Sequence, residues 1–395
     1  MKDKVKFKLW EVIVIVSLAT LFMSVITGFI VYKKFNSGTV STTNNKYVNN
    51  FIKAYNDVVD NYYEDVSEDK IIDAAITGMM SYLDDDYTTY LDEYDTEDLT
   101  ESLRGTYEGI GITIAENDDG NIEIKKVLDG SSASEVGIKI GDIVKSINGT
   151  SVLGKYPTEL TDLIDKVEGT FKIEVLRDDE TLEFEVEKRE LIVPALTSEV
   201  KTNQSGKKVG YLYLSSFTSS LGIQVKEELK KFDEEKINNL IIDVRYNSGG
   251  YLQSTTDILE LFLNKNELMF SLEYKKDTIK YKAEIGTDKK YNIVVLINGA
   301  SASASEVLAS SLKDNGKATI IGSTSYGKGK VQMTGELDDG SMYKYTSAKW
   351  FRPNGECIDG VGIKPDIAVD LNENYLENPI EENDNQLMSA ISYFN

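Results

Sequence analysis

The sequence predicts an α/β chain of several domains, and three observations carry that reading. Apolar runs at 208–214, 239–244 and 293–298 read as buried strands. A charged helical stretch at 223–232 lies between the first two, so strand, helix and strand follow in the order of a parallel crossover. The 395 residues suffice for two or three domains, and a hydrophobic content of 41% supports sizeable cores.

Residues 12–32 carry no charge. At about 1.5 Å rise per residue such a helix spans a ~30 Å hydrocarbon layer. Lys2, Lys4, Lys6 and Lys8 precede it, which predicts a cytoplasmic segment 1–11 and a single-pass membrane anchor. The body of the protein is then extracytoplasmic, although Lys33 and Lys34 blunt the charge asymmetry. No small-x-small site follows, so the anchor is read as uncleaved. Residues 33–46 form a linker, polar and short-chained from 36 onward.

Residues 47–105 read as helical, with Tyr47, Phe51, Ile52 and Tyr55, then Ile72, Ala75, Ile76 and Met79, at helical spacing. The Asp84-Asp85-Asp86 cluster lacks the glycine and downstream glutamate of a calcium loop and reads as a solvated acidic turn.

Residues 106–189 open with Gly109-Ile110-Gly111-Ile112 and continue to Gly141-Asp142-Ile143-Val144, which ends in an Asn148-Gly149 turn. Leu160, Leu163 and Ile164 fall at helical spacing, placed to close a groove opposite Ile110 and Ile112. From 190 to 370 the strands named above alternate with helices. Arg245-Tyr-Asn-Ser-Gly249-Gly250 turns the chain at a strand's carboxyl end, where α/β sheets place their sites. Residues 371–395 are acidic and then weakly amphipathic through Leu387, Ile391 and Phe394, and read as a docking or dimer helix.

The net charge of -23 argues against nucleic acid as a partner, since phosphate binding needs a basic surface. The chain has no histidine and one cysteine, Cys357, so neither a Ser-His-Asp triad nor a Cys-His pair is available. A hydrolase built from it needs another base, and a lysine serves if burial lowers its pKa. Two stretches suit that chemistry: Ser301-Ala-Ser303-Ala304-Ser305-Glu306, and Gly327-Lys328-Gly329-Lys330-Val331-Gln332. Ser303-x-x-Glu306 also fits a helix capping box, and a nucleophile at a helix start would place its oxyanion near free N–H groups. Lys330 is expected to be solvated.

Asn298-Gly-Ala-Ser-Ala-Ser-Ala-Ser-Glu306 followed by Gly327-Lys-Gly-Lys-Val-Gln332 resembles the carboxyl-terminal processing peptidases, the S41 family of Ser-Lys proteases with an embedded PDZ domain. The resemblance implies a crotonase/ClpP-like α/β protease core at 190–370. It also implies a PDZ domain inserted at 106–189 and an amino-terminal helical segment. It makes Ser303 the nucleophile, Lys328 the base and Gln332 its orienter, spaced as one helical turn. The Gly249 and Ala304 N–H groups form the oxyanion hole, and Gly109, Ile110, Gly111 and Ile112 capture a peptide's terminal carboxylate. The partners implied are polypeptides with exposed carboxyl termini, with no metal or cofactor required and a homodimer as one assembly. Where the family often couples the PDZ domain to the protease through Arg-Gly, this chain has Asp165-Lys166. The rival reading is an inert PDZ peptide-binding scaffold.

Overall fold

The computed structural model describes residues 45–117 and 119–395. The anchor predicted at 12–32, the segment before it and most of the linker lie outside the described residues. Among the described residues, no helix is long and apolar enough to cross a membrane. The chain divides into two compact units, residues 1–75 and 76–395.

In the first unit, Asn45 caps the helix Lys46–Asn61 by accepting from the Tyr47 N–H. Its apolar stripe of Tyr47, Phe51 and Ile52 is exposed. The hydroxyl of Tyr55 donates to Glu68 at 2.8 Å, where the helix Glu68–Ser81 begins.

The region predicted as helical to 105 is interrupted by a strand, Thr89–Leu91, before the helix Glu93–Arg104. Thr-Tyr-Leu is β-branched and aromatic, and its pairing with Met342–Phe351 decides the conformation. Beyond Gly105 lies an antiparallel sheet of strands Ile112–Glu116, Ile122–Val127, Ile143–Ile147, Thr170–Arg177 and Glu180–Glu187, with a short strand at Thr150–Ser151. The helix Pro157–Asp165 covers it through buried Leu160 and Ile164, which join Ile110, Phe171 and Ile173 in one core. Ile110 is therefore a core residue, while Ile112 and Leu163 pack at its margin. Gly111, at φ 87°, must be glycine, because a Cβ there would lie 2.2 Å from Ser131 Cβ.

The larger core is built on a sheet ordered Leu196–Thr202, Lys208–Leu214, Asn239–Asp243, Asn292–Ile297, Ala318–Gly322 and Ile367–Ala368. All neighbours but the first pair run parallel. The predicted crossover is present, with the helix Leu221–Glu234 between strands that pair Gly210 with Leu240. Both faces are covered, which is why these strands read as unbroken apolar runs. Leu240, Ile242, Val295 and Ile297 face the helices Leu221–Glu234, Leu252–Leu259 and Ala304–Asp314. Ile241, Val294 and Leu296 face Leu387, Ala390, Ile391 and Phe394. The carboxyl-terminal helix Asn385–Ser392, expected to dock or dimerise, thus docks on its own chain.

A second, antiparallel sheet joins Met342–Phe351 to Thr89–Leu91, Leu268–Tyr274 and Lys330–Glu336, with Thr278–Lys282 at its edge. It carries the lysine segment to the carboxyl ends of the parallel strands.

Candidate active site

The strand Asn292–Ile297 ends at Asn298, whose side chain accepts from the N–H groups of Tyr246 at 3.0 Å and Ala300 at 3.1 Å. The next turn brings three serines with different surroundings. Ser301 Oγ donates to the Val244 carbonyl at 2.8 Å, and Ser305 Oγ donates to the Asn247 carbonyl at 2.8 Å. Both are fully buried, and such hydroxyls are structural fasteners. Ser303 instead borders a cavity of about 440 Å³. Its backbone is strained, at φ 54° and ψ −115°, directly before the helix Ala304–Asp314.

Gly249 closes over this residue. At φ 113°, a Cβ on it would lie 2.9 Å from Ser303 Cβ and 3.1 Å from the Ala304 nitrogen. The oxyanion donor expected at Gly249 needs correction, because its N–H already donates to Asn247 Oδ1 at 2.8 Å. The glycine bordering the cavity is Gly250, alongside Ala304. Ala304 opens its helix, so its N–H has no intrahelical acceptor. Asn247, fully buried, also donates to the Leu214 carbonyl at 2.8 Å and so pins the turn to the neighbouring strand. The start of this loop is anchored by buried Arg245, which donates to Asp243 and to Asp384 at 2.7 Å each. Nothing in the local sequence marks Asp384, since it lies 139 residues away.

Glu306 links the two halves of the site. Fully buried, it accepts from the Ser303 N–H at 2.9 Å, Ser325 Oγ at 2.6 Å, the Gly327 N–H at 2.7 Å and the Lys328 N–H at 2.9 Å. Burial pushes its carboxyl pKa up, and these hydrogen bonds oppose that shift. The capping-box reading found its contact with Ser303, but not that the same carboxylate fastens the lysine segment.

The glycines flanking Lys328 are required by close approach. A Cβ on Gly327 would lie 2.8 Å from the Gly362 nitrogen, and one on Gly329 would lie 2.6 Å from Asp359 Cβ. The Lys328 carbonyl accepts from Trp350 Nε1 at 2.8 Å. The Lys328 amine lies 4.7 Å from the centre of the Tyr87 ring. Burial is the main influence lowering its pKa, Lys344 adds to it, and Glu306 and Asp85 oppose it.

Two expectations about this segment are corrected. Gln332 lies on the strand Lys330–Glu336, not one helical turn after Lys328, and a bulge between Val331 and Gln332 re-aims it. Its amide donates to Thr346 Oγ1 at 3.3 Å. Lys330 is not simply solvated, since its amine pairs with Asp85 at 2.9 Å. The Asp84–Asp86 turn is correspondingly no solvated loop tip: Asp85 is docked on the strand that begins at Lys330.

The cavity brings Ser303, Ala304, Lys328 and Gln332 together with Gly250. Gly109 to Ile112 are not among its lining residues. Sequence reasoning missed Leu99 and Leu103, which border the cavity from the helix Glu93–Arg104. Their four-residue spacing on an otherwise acidic helix is the signal that could have found them. An apolar wall, a half-buried serine bordering the cavity and a partly desolvated amine together suit acyl transfer from a polypeptide.

Comparison with known proteins identifies the family. Residues 208–369 match peptidase family S41, residues 99–176 match the PDZ domain, and residues 31–95 match the N-terminal domain of the activating protease CtpB. The carboxy-terminal processing protease CtpB of Bacillus subtilis is 34% identical over 336 residues, which cover 83% of this chain and 69% of that one. The CtpA protein of the same organism is 34% identical over 324 residues, covering 81% and 68%. A solved S41-type structure from Bacteroides fragilis shares the fold, with a TM-score of 0.55 at 18% identity over 85% of this chain and 91% of that one.

Proposed function

Because this chain belongs to peptidase family S41, as a serine-type peptidase of the carboxy-terminal processing group with a PDZ domain, we propose that it cleaves polypeptides selected by their carboxyl termini through Ser303 and Lys328. The observation that supports this most is Glu306, whose one carboxylate holds both the Ser303 and the Lys328 backbone at the same cavity.

In the proposed reaction, Ser303 Oγ attacks the scissile carbonyl while neutral Lys328 takes its proton. The amine then passes that proton to the leaving nitrogen, and water repeats the sequence on the acyl-enzyme. The developing oxyanion is met by the Ala304 N–H and by the N–H of Gly250, which borders the cavity, each such donor being worth roughly 3 kcal/mol in measured enzymes. An exposed lysine titrates near ~10.4, so burial of the amine is what makes it a usable base. Gln332 borders the same cavity with its amide held by Thr346, and is the proposed orienter of the base. The Gly109–Ile112 loop is the proposed site for the substrate's terminal carboxylate, its backbone fixed by Gly111 against Ser131.

The uncharged run at 12–32 behind Lys2, Lys4, Lys6 and Lys8 supports a membrane-anchored enzyme with an extracytoplasmic body. Fluorophosphonate labelling tests the core of the proposal. The wild type should be labelled, and Ser303→Ala and Lys328→Arg should not, because arginine stays charged and cannot act as a base. Equal labelling of Ser303→Ala would overturn it. Protease accessibility of the 106–395 body in intact cells tests the topology, and protection from added protease would contradict it.

A further inference from the structure

Two lysines stand two residues apart, Lys328 just before the strand Lys330–Glu336 and Lys330 at its start, and a turn more than two hundred residues earlier in the chain treats them differently. Asp85 accepts from Thr88 Oγ1 and from Thr346 Oγ1 at 2.6 Å each, and from Lys330 Nζ at 2.9 Å. Thr346 Oγ1 in turn accepts from the Gln332 amide at 3.3 Å, so two hydrogen bonds connect Asp85 to Gln332. The Thr346 N–H donates to Thr88 Oγ1 at 3.1 Å, which fastens the turn to the strand opposite Gln332. The adjacent Tyr87 ring lies beneath both amines, 4.7 Å from that of Lys328 and 5.5 Å from that of Lys330. The strand Thr89–Leu91 holds this arrangement in register by pairing Thr89 with Lys344.

We propose that the Asp85 turn is a positioning element for the catalytic base: it neutralises Lys330, leaves Lys328 without a carboxylate partner, and anchors Gln332 through Thr346. This rests on the assignment of Ser303 and Lys328 above. Asp85 touches neither the nucleophile nor the substrate, so its action is through its neighbours.

The electrostatics are consistent with that geometry. Burial works to raise the Asp85 pKa, but the hydrogen bonds from Thr346, Thr88 and Lys330 outweigh it and hold the carboxyl at about 2. The hydrogen bond to Asp85 is the main influence raising Lys330, which therefore remains an ammonium. The charged and titratable groups facing Lys328 are Glu306 from the helix Ala304–Asp314, Lys344 from the facing strand, Asp85 and Tyr87 from the turn, and Lys330 from the strand that follows it. Removing the Asp85 charge therefore deprives Lys328 of one anion and leaves an unpaired ammonium beside it. Both changes disfavour the charged form of Lys328, so its pKa falls.

The test is the rate of Ser303 phosphonylation by a fluorophosphonate across the pH range, measured on the full chain with Tm alongside. In that reaction a bond forms between Oγ and phosphorus, fluoride leaves, and the hydroxyl proton passes to Lys328. Asp85→Asn should lower the high-pH plateau by about tenfold or more, the scale on which misplaced catalytic groups act. The same variant should move the rising limb to lower pH by about half a unit or more. Asp85→Asn with Lys330→Met should move the limb back toward wild type while the plateau stays low. Thr346→Val, which cuts the route to Gln332 and leaves the charges in place, should lower the plateau without moving the limb. A limb and plateau unchanged in Asp85→Asn would overturn the proposal, as would a rate loss that only follows a fall in Tm. If wild-type labelling persists in Ser303→Ala or shows no limb, the site assignment fails and takes this proposal with it. A normal wild-type limb with an unaffected Asp85→Asn defeats this proposal alone.

Discussion

Ser303 and Lys328 line one cavity, yet they are held by contacts of different reach. The serine is set largely by its own neighbourhood: Glu306 three residues on, and the Asn298–Ser301 turn just before it. The amine of the lysine is bounded by Tyr87 and the Asp85 turn, with Asp85 bonding to Lys330 across 245 residues. Local contacts form with the helix that carries them, whereas long-range contacts exist only once the sheets are assembled. The serine is therefore built into a motif, and the environment of the lysine is a property of the whole second unit.

The largest effect tests whether the serine run has one active member. Ser303→Ala should cost about 10⁶ in kcat with Tm unchanged, the loss seen when a serine nucleophile is removed. Ser301→Ala and Ser305→Ala should instead retain activity at low temperature. Each should lose about 1–3 kcal/mol in denaturant melts, because a buried carbonyl loses its donor. Loss of kcat without loss of stability in Ser305→Ala would place the nucleophile there.

Arg245→Ala probes a long-range anchor on the serine side of the site. It strands the buried carboxylates of Asp243 and Asp384, and the melt should fall by about 3–5 kcal/mol. A loss under ~1 kcal/mol would mean that these carboxylates find water or protons instead. Smaller again, Glu306→Gln should lower both kcat and stability, by about 1–3 kcal/mol in the latter, since it belongs to both halves of the site. An effect on only one of the two would break the comparison.

The smallest prediction has the opposite sign. Lys328 is held below its unfolded pKa by burial, so at neutral pH its charged form opposes folding, and that penalty fades as pH rises through the folded pKa. Lys328→Met should accordingly be inactive yet more stable by about 1 kcal/mol at pH 7, with the advantage shrinking in alkaline melts. A destabilised Lys328→Met would show that the amine is not a strained group.

Much of this was legible in the sequence where a residue type answers a local demand. Gly111, Gly249, Gly327 and Gly329 are glycines because another chain segment approaches within 3 Å of where a Cβ would be. The parallel strands were legible because both of their faces are buried. What was not legible depends on distance or on hydrogen-bond geometry. A three-residue strand at Thr89–Leu91 has too little pattern to separate from flanking helices. Asp85 looks like any surface aspartate until Thr346 and Lys330 arrive. The engagement of the Gly249 amide by Asn247, and the bulge that turns Gln332 toward Thr346, are decided by backbone geometry that spacing does not encode.

The helix Asn385–Ser392 has a consequence for the order of assembly. Among the described residues, Val209, Ile241, Val294, Leu296 and Ile321 are covered by Leu387, Ala390, Ile391 and Phe394. Asp384, at the start of the same helix, completes the shell of Arg245, and Asn203 Nδ2 donates to the Phe394 carbonyl at 2.9 Å. Synthesis runs from the amino end, so a nascent chain that has released Ser303 and Lys328 still presents one face of its central sheet to water. Closing that face waits on residues 384–394, which lie more than fifty residues beyond Lys328 along the chain.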